Sequence, residues 1–293
     1  MSIISTLKLG FNLFKGIRFS LLHSYSNDSW YWYDHSMKYN PDGRVGSHKR
    51  TNYTAFQLNH MITPKLFYEF KLAYMENNTG TYLHKDPFAY IIADGSNYAQ
   101  LVDWYGYEIP IYHDGLPHEV GDTVYLYIHD RFSENYGSGF FTGGQQKEHT
   151  KHRDLDQTIK FDVTWQANHN HSFKLGLMGI SHDVKHKWQM IRNKYDGQSD
   201  LSIYEPEVFG DSTVYADIFA VKPKEAAAYI QDKMEFENMV INFGIRYDYF
   251  DPASYYPSDR RNPANQLVLP DSMMSSRIDA PVIDQLSPRV GFA

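Results

Sequence analysis

Residues 239–252 read MVINFGIRYDYFDP, and from Ile241 every second position is large and apolar or aromatic: Ile241, Phe243, Ile245, Tyr247 and Tyr249. Between them stand Asn242, Gly244, Arg246 and Asp248. A period of two belongs to a strand with two unlike faces. The same period recurs along the chain and predicts nine strands, eight of them in pairs. Residues 3–13 set Leu7, Leu9, Phe11 and Leu13 against Lys8, Gly10 and Asn12, and residues 17–25 set Ile17, Phe19 and Leu21 against Arg18 and Ser20. Residues 53–61 alternate weakly, whereas residues 66–74 oppose Leu66, Tyr68, Phe70, Leu72 and Tyr74 to Glu69 and Lys71. Residues 159–165 and 173–177 make the third pair, residues 226–236 and 239–250 the fourth, and residues 286–292 the ninth strand.

The connections alternate in length. Within a pair only a few residues intervene, as a hairpin requires: Lys15-Gly16, Thr63-Pro64-Lys65, Asn168 to His171 and Glu237-Asn238. Between pairs the links are long, at residues 34–50, 75–151, 193–223 and 251–285, and they are rich in Asp, Asn, Gly, Pro and Tyr without a helical period. Links of that length count against strands in a compact soluble domain, but they are routine in transmembrane β-barrels, which have short turns on one side and long loops on the other. The predicted fold is therefore all-β: an antiparallel up-and-down transmembrane β-barrel, here an incomplete section of about nine strands with long external loops. In that fold Ile241, Phe243 and Ile245 face lipid, Tyr247 and Tyr249 reach an aromatic girdle, and Asn242, Arg246 and Asp248 face the lumen. A soluble sandwich or propeller also alternates and is the competing architecture.

Composition agrees with an envelope protein. Aromatic residues make up 16% of the 293, and 24 of these are Tyr, a residue suited to boundaries between apolar and wet surroundings. The net charge of -7 gives no basic face for nucleic acid. The absence of Cys excludes disulfides, thiolate metal sites and Cys nucleophiles. No run approaches the ~18 apolar residues of a membrane-spanning helix. The opening MSIISTLKLGFNLF is interrupted by Lys8, Asn12 and Lys15 and reads as a strand rather than an export signal.

Residues 225–252, EAAAYIQDKMEFENMVINFGIRYDYFDP, resemble a hairpin of TonB-dependent outer-membrane receptors. There a Y-x-Q-D strand (Tyr229, Gln231, Asp232) turns into a strand reading N-x-G-x-R-Y-D (Asn242, Gly244, Arg246, Tyr247, Asp248). The terminal QLSPRVGFA, residues 285–293, is similar to the S-P-R-x-G-F strand that follows in those receptors. The resemblance covers the last quarter by motif and the rest by style. It implies a bacterial outer-membrane location, a 22-stranded barrel around a plug, and energised import of a bulky, scarce nutrient of the siderophore, cobalamin, glycan or peptide class. It also implies an inner-membrane energy-coupling protein that acts through the plug region, with outer-membrane lipid as the other partner. No plug-like segment, coupling motif or closing aromatic strand is recognisable, so residues 1–293 are expected to be a partial barrel domain, the middle of such a receptor. The alternative function is that of a soluble secreted all-β carbohydrate-binding or structural protein.

Candidate chemistry is sparse, and neither an enzyme nor a cofactor is expected. His182 and His186 are spaced like a helical metal pair, but on a strand they stand ~13 Å apart; His149 and His152 fall on opposite faces. His169-Asn170-His171 reads as a turn, and DGQSD (residues 196–200) and NPDG (residues 40–43) lack the distal Glu of a calcium loop. The longest link, residues 75–151, carries Tyr82, Phe88, Tyr90, Tyr98, Trp104, Tyr105, Tyr107, Tyr112, Tyr125, Tyr127, Tyr136, Phe140 and Phe141. These either form the loop's own core or stack on a ligand. Trp104, Tyr105 and Tyr107, the densest cluster, are the candidate ligand-binding residues.

Overall fold

The computed structural model describes residues 2–92, 123–128, 139–196, 204–266 and 271–293. Numbered in chain order, its long strands are β1 (Ser2–Phe14), β2 (Ile17–Trp30), β3 (Gly46–Thr63), β4 (Leu66–Tyr82), β7 (Glu148–Gln166), β8 (His171–Met190), β12 (Lys224–Phe236), β13 (Met239–Asp251) and β16 (Ile283–Phe292). Shorter ones lie in the links: β5 (Tyr90–Ile92), β6 (Thr123–Tyr125), β9 (Arg192–Asn193), β10 (Pro206–Glu207), β11 (Ala216–Val221), β14 (Tyr255–Pro257) and β15 (Arg277–Asp279). The nine long strands follow one another across one sheet in chain order, each antiparallel to the next. Among the described residues β1 pairs with β2 alone and β16 with β13 alone, so the sheet is open at both edges. All nine strands read from the sequence are present, in the predicted hairpins.

The four short turns share one edge. At the first, Gly16 has φ +87, and a Cβ there would lie 2.6 Å from the Met61 carbonyl oxygen, which makes glycine a requirement.

The strands run well past their predicted ends, always at the long-loop edge. β2 continues to Trp30, β3 begins at Gly46, β4 continues to Tyr82, β7 begins at Glu148 and β8 continues to Met190. The long links are correspondingly shorter and less irregular than the sequence predicts. Beside the upper end of β8 lies β11, with Val221 opposite Val184, while β12 starts below it with Lys224 opposite Ser181. Across the break the N–H of His182 donates to the Pro223 carbonyl, 3.0 Å.

Register fixes the two faces. Leu9, Leu21, Phe56, Leu72, Ile159, Gly179, Ala226 and Tyr249 are successive cross-strand partners and therefore share one face. That face also carries Phe161, Val163, Leu175, Leu177, Ile230, Ile241, Phe243, Ile245, Leu286 and Val290. It is exposed: Phe243 is 54% accessible, Leu177 51% and Val290 69%. A buried core exists elsewhere, at the long-loop edge, where Tyr127, Ile191 and Tyr204 pack with Leu83, Tyr125 and Val208.

Candidate functional site

The opposite face is polar across the whole sheet. One row of direct partners runs Arg18, Asn59, Glu69, Asp162, Gly176, Tyr229, Arg246 and Ser287. The next row toward the short turns includes Thr164, Lys174, Gln231, Gly244 and Arg289. Neighbours satisfy one another within this wall. The Tyr229 hydroxyl donates to Asp162 Oδ1 at 2.8 Å, and Lys160 pairs with Asp162 at 2.9 Å. The Arg246 Nε donates to both oxygens of Asp248, at 2.8 and 2.9 Å, and Gln231 Nε2 reaches Asn242 Oδ1 at 3.3 Å. Gly176 makes the Tyr229 contact possible: a Cβ there would meet the tyrosine ring at 2.1 Å and Asp162 Oδ1 at 2.7 Å. The ring thus lies flat over the glycine and bridges two strands to reach its carboxylate. Lys174, Tyr229, Gln231, Asn242, Gly244, Arg246, Arg289 and their neighbours outline a shallow depression in the wall.

The two sequence-predicted triplets lie on opposite faces of the sheet. Asn242, Arg246 and Asp248 stand on the polar face, and Ile241, Phe243 and Ile245 on the apolar one. Tyr68, Tyr74, Tyr247 and Tyr249 also share the apolar face. Beyond Tyr74, toward the long-loop edge, that face turns ionic: Glu76 pairs with Arg153 at 2.7 Å, and Arg153 with Asp183 at 3.4 Å.

A cap closes over the long-loop edge. His48, Tyr82 and His149 stack in a column, with ring centroids 4.8 and 5.2 Å apart. His149 is 2% exposed, and its Nε2 lies 3.1 Å from the Lys85 carbonyl oxygen. Burial holds the His149 and His84 imidazoles below their usual pKa near 6.5. Gln145 ties the segment around Tyr127 in place: it accepts from the Ile128 N–H and donates to the Leu126 carbonyl, both at 2.9 Å. Asn40 Nδ2 donates to the Gly144 carbonyl at 2.7 Å, and Gln146 accepts from the Val45 N–H at 2.9 Å, so separate links hold one another. For Tyr125 and Tyr127 the reading of the loop aromatics as a small core of the loops is therefore the one that holds. Trp104, Tyr105 and Tyr107 lie outside the described residues.

Of the histidines, His182 and His186 lie on β8, as expected for a strand extension. His152 on β7 is the direct cross-strand partner of His186, with Nδ1 to Nδ1 3.3 Å. Sequence reasoning missed that pair, because 34 residues separate its members and only the β7–β8 register joins them. Among the described residues, no group of three or more His, Asp or Glu side chains is placed to hold a metal.

No known protein-family profile matches the chain, and no curated protein matches it. Among solved structures it is similar to the outer membrane transporter YddB from Escherichia coli, at 10% identity and a TM-score of 0.48. The likeness covers 85% of this chain and 27% of the transporter, so the chain spans about a quarter of that protein's length.

Proposed function

We propose that the chain forms part of the wall of a bacterial outer-membrane transport barrel, with its apolar face in lipid and its polar face lining the passage. The observation that carries this reading is the register-matched apolar face, continuous over nine strands and open to its surroundings. In water such a surface would be far larger than a monomer tolerates, whereas hydrocarbon removes the penalty. The short turns would lie in the periplasm and the long links outside the cell.

The motifs of residues 225–252 and 285–293 support the narrower assignment to a TonB-dependent receptor. Its work would be binding and passage, with no bond made or broken. It would be driven by an inner-membrane energy-coupling protein acting through a plug region, and it would import a bulky, scarce nutrient. The competing soluble sandwich needs a second sheet over the apolar face, and the nine long strands instead lie in one sheet.

Fractionation tests the proposal. The chain expressed with an export signal should partition into the outer membrane and leave it only with detergent. Protease added to whole cells should cut in residues 34–45 and 251–282 and spare Lys15, Pro64, Asn170 and Asn238. A monomer stable in detergent-free buffer would overturn the reading.

A further inference from the structure

We infer that His152 and His186 form an open two-imidazole site for a borderline divalent cation of the zinc, copper and nickel class, set on the polar face near the long-loop edge. Three observations converge. First, the two Nδ1 atoms are 3.3 Å apart. Two imidazole nitrogens each 2.0–2.1 Å from one tetrahedral centre stand about 3.3–3.4 Å from each other, so the pair already has the bite of a metal chelate.

Second, the far side of His152 is occupied in the way a metal-binding imidazole requires. Its Nε2 lies 2.9 Å from Asp154 Oδ1 on the same strand. A carboxylate there accepts the Nε2–H, which leaves the neutral ring with its lone pair at Nδ1, toward His186. Phe219 of β11 stacks on the His186 ring at 5.2 Å and 27°, which limits its rotation. Both ligands are therefore oriented before a cation arrives, and little side-chain entropy remains to be lost.

Third, the surroundings favour cations and keep the site reachable. Asp154, Asp156 and Glu225 share the polar face with the pair. The His152 side chain is 34% exposed. No third protein ligand stands close enough among the described residues, so two coordination positions are left for water or for groups carried by an arriving complex. Oxygen-preferring magnesium or calcium would be rejected, because imidazole suits zinc, copper and nickel.

Such a site on a passage wall would hand a cation on rather than keep it. That role rests on the transport reading; the binding itself does not. The test is direct titration of the full chain in detergent micelles with zinc chloride. One equivalent should bind with micromolar affinity. His152→Asn and His186→Asn should each weaken it tenfold or more, Asp154→Asn should weaken it several-fold, and His169→Gln in the turn should leave it unchanged. Copper(II) at one equivalent should show coupling to two imidazole nitrogens by electron paramagnetic resonance, a readout that needs no variant. Unaltered zinc affinity in the His152→Asn/His186→Asn double variant, or one imidazole or none on copper, overturns the inference. A chain that binds zinc but stays out of membranes would sink the transport reading alone. A chain inserted in membranes without zinc binding would sink this one alone.

Discussion

The belt of apolar side chains around the middle of the sheet and the cap over its long-loop edge use similar residues in opposite ways. On the belt, Phe243, Leu177 and Ile245 stand exposed. In the cap, Ile191 and Tyr127 are 1% and 0% exposed. In the proposed membrane setting the difference follows from the solvent. Hydrocarbon is as apolar as leucine, so the belt would have no reason to hide its side chains, whereas water around the cap would gather its aromatics into a core. The two regions also differ in what holds the backbone. The belt relies on an unbroken ladder, whereas side-chain amides such as Gln145, Gln146 and Asn40 join the cap's segments.

Substitutions can break or sharpen this contrast. The largest effect is expected inside the cap. Ile191→Ala would leave a cavity costing about 2–5 kcal/mol, read as faster proteolysis of residues 191–209 while the assembled wall persists. On the belt, Ile245→Arg would cost roughly 2–4 kcal/mol at bilayer depth, measured as a lower urea midpoint for the chain folded into lipid, with the cap unaltered. Equal damage to both regions by either change would erase the distinction. On the polar wall, Tyr229→Phe removes the hydroxyl from Asp162, which keeps Lys160 as a partner. A loss of about 1 kcal/mol should follow.

Acid should separate the regions further, by a smaller and graded effect. His84 and His149 are held below pH 6.5 in the folded cap by burial, so the unfolded segments bind more protons. Their contribution to stability is complete above about 6.5 and is lost as pH falls through the lowered folded values. The protection of amides in residues 83–92 and 123–128, taken relative to intrinsic exchange at each pH, should therefore fall between pH 7.5 and 5, and that of β13 should not. The smallest change is expected for Asn242→Ser, within about 0.5 kcal/mol by the same urea titration.

What the sequence disclosed follows the same division. Wherever a strand separates apolar from polar surroundings, as at Leu66, Tyr68, Phe70 and Leu72, alternation reveals it. The upper strand ends were invisible because both their faces carry polar residues. Residues 76–82, ENNTGTY, and 148–158, EHTKHRDLDQT, are polar on either side and look like loop. β11 was missed because six residues give too short a period to read. The assignment of Asn242, Arg246 and Asp248 to one face and of Ile241, Phe243 and Ile245 to the other needed only the period of two. The bridge from Tyr229 over Gly176 to Asp162 and the pairing of His152 with His186 needed register, which no local pattern encodes.

The break between β11 and β12 divides the wall into two storeys. In the proposed membrane setting the lower one would have its height set by the thickness of a bilayer, since each strand would carry its apolar stretch across and no further. The upper one would be free of that limit. At the landing between them Pro223 has no N–H to give, so the ladder already forgoes a bond there. Residues added between Val221 and Pro223 would therefore leave in place both the β12–β8 pairs and the bond from the His182 N–H to the Pro223 carbonyl. The landing is a natural graft point, where a builder could raise, shorten or exchange the storey above without touching the foundations.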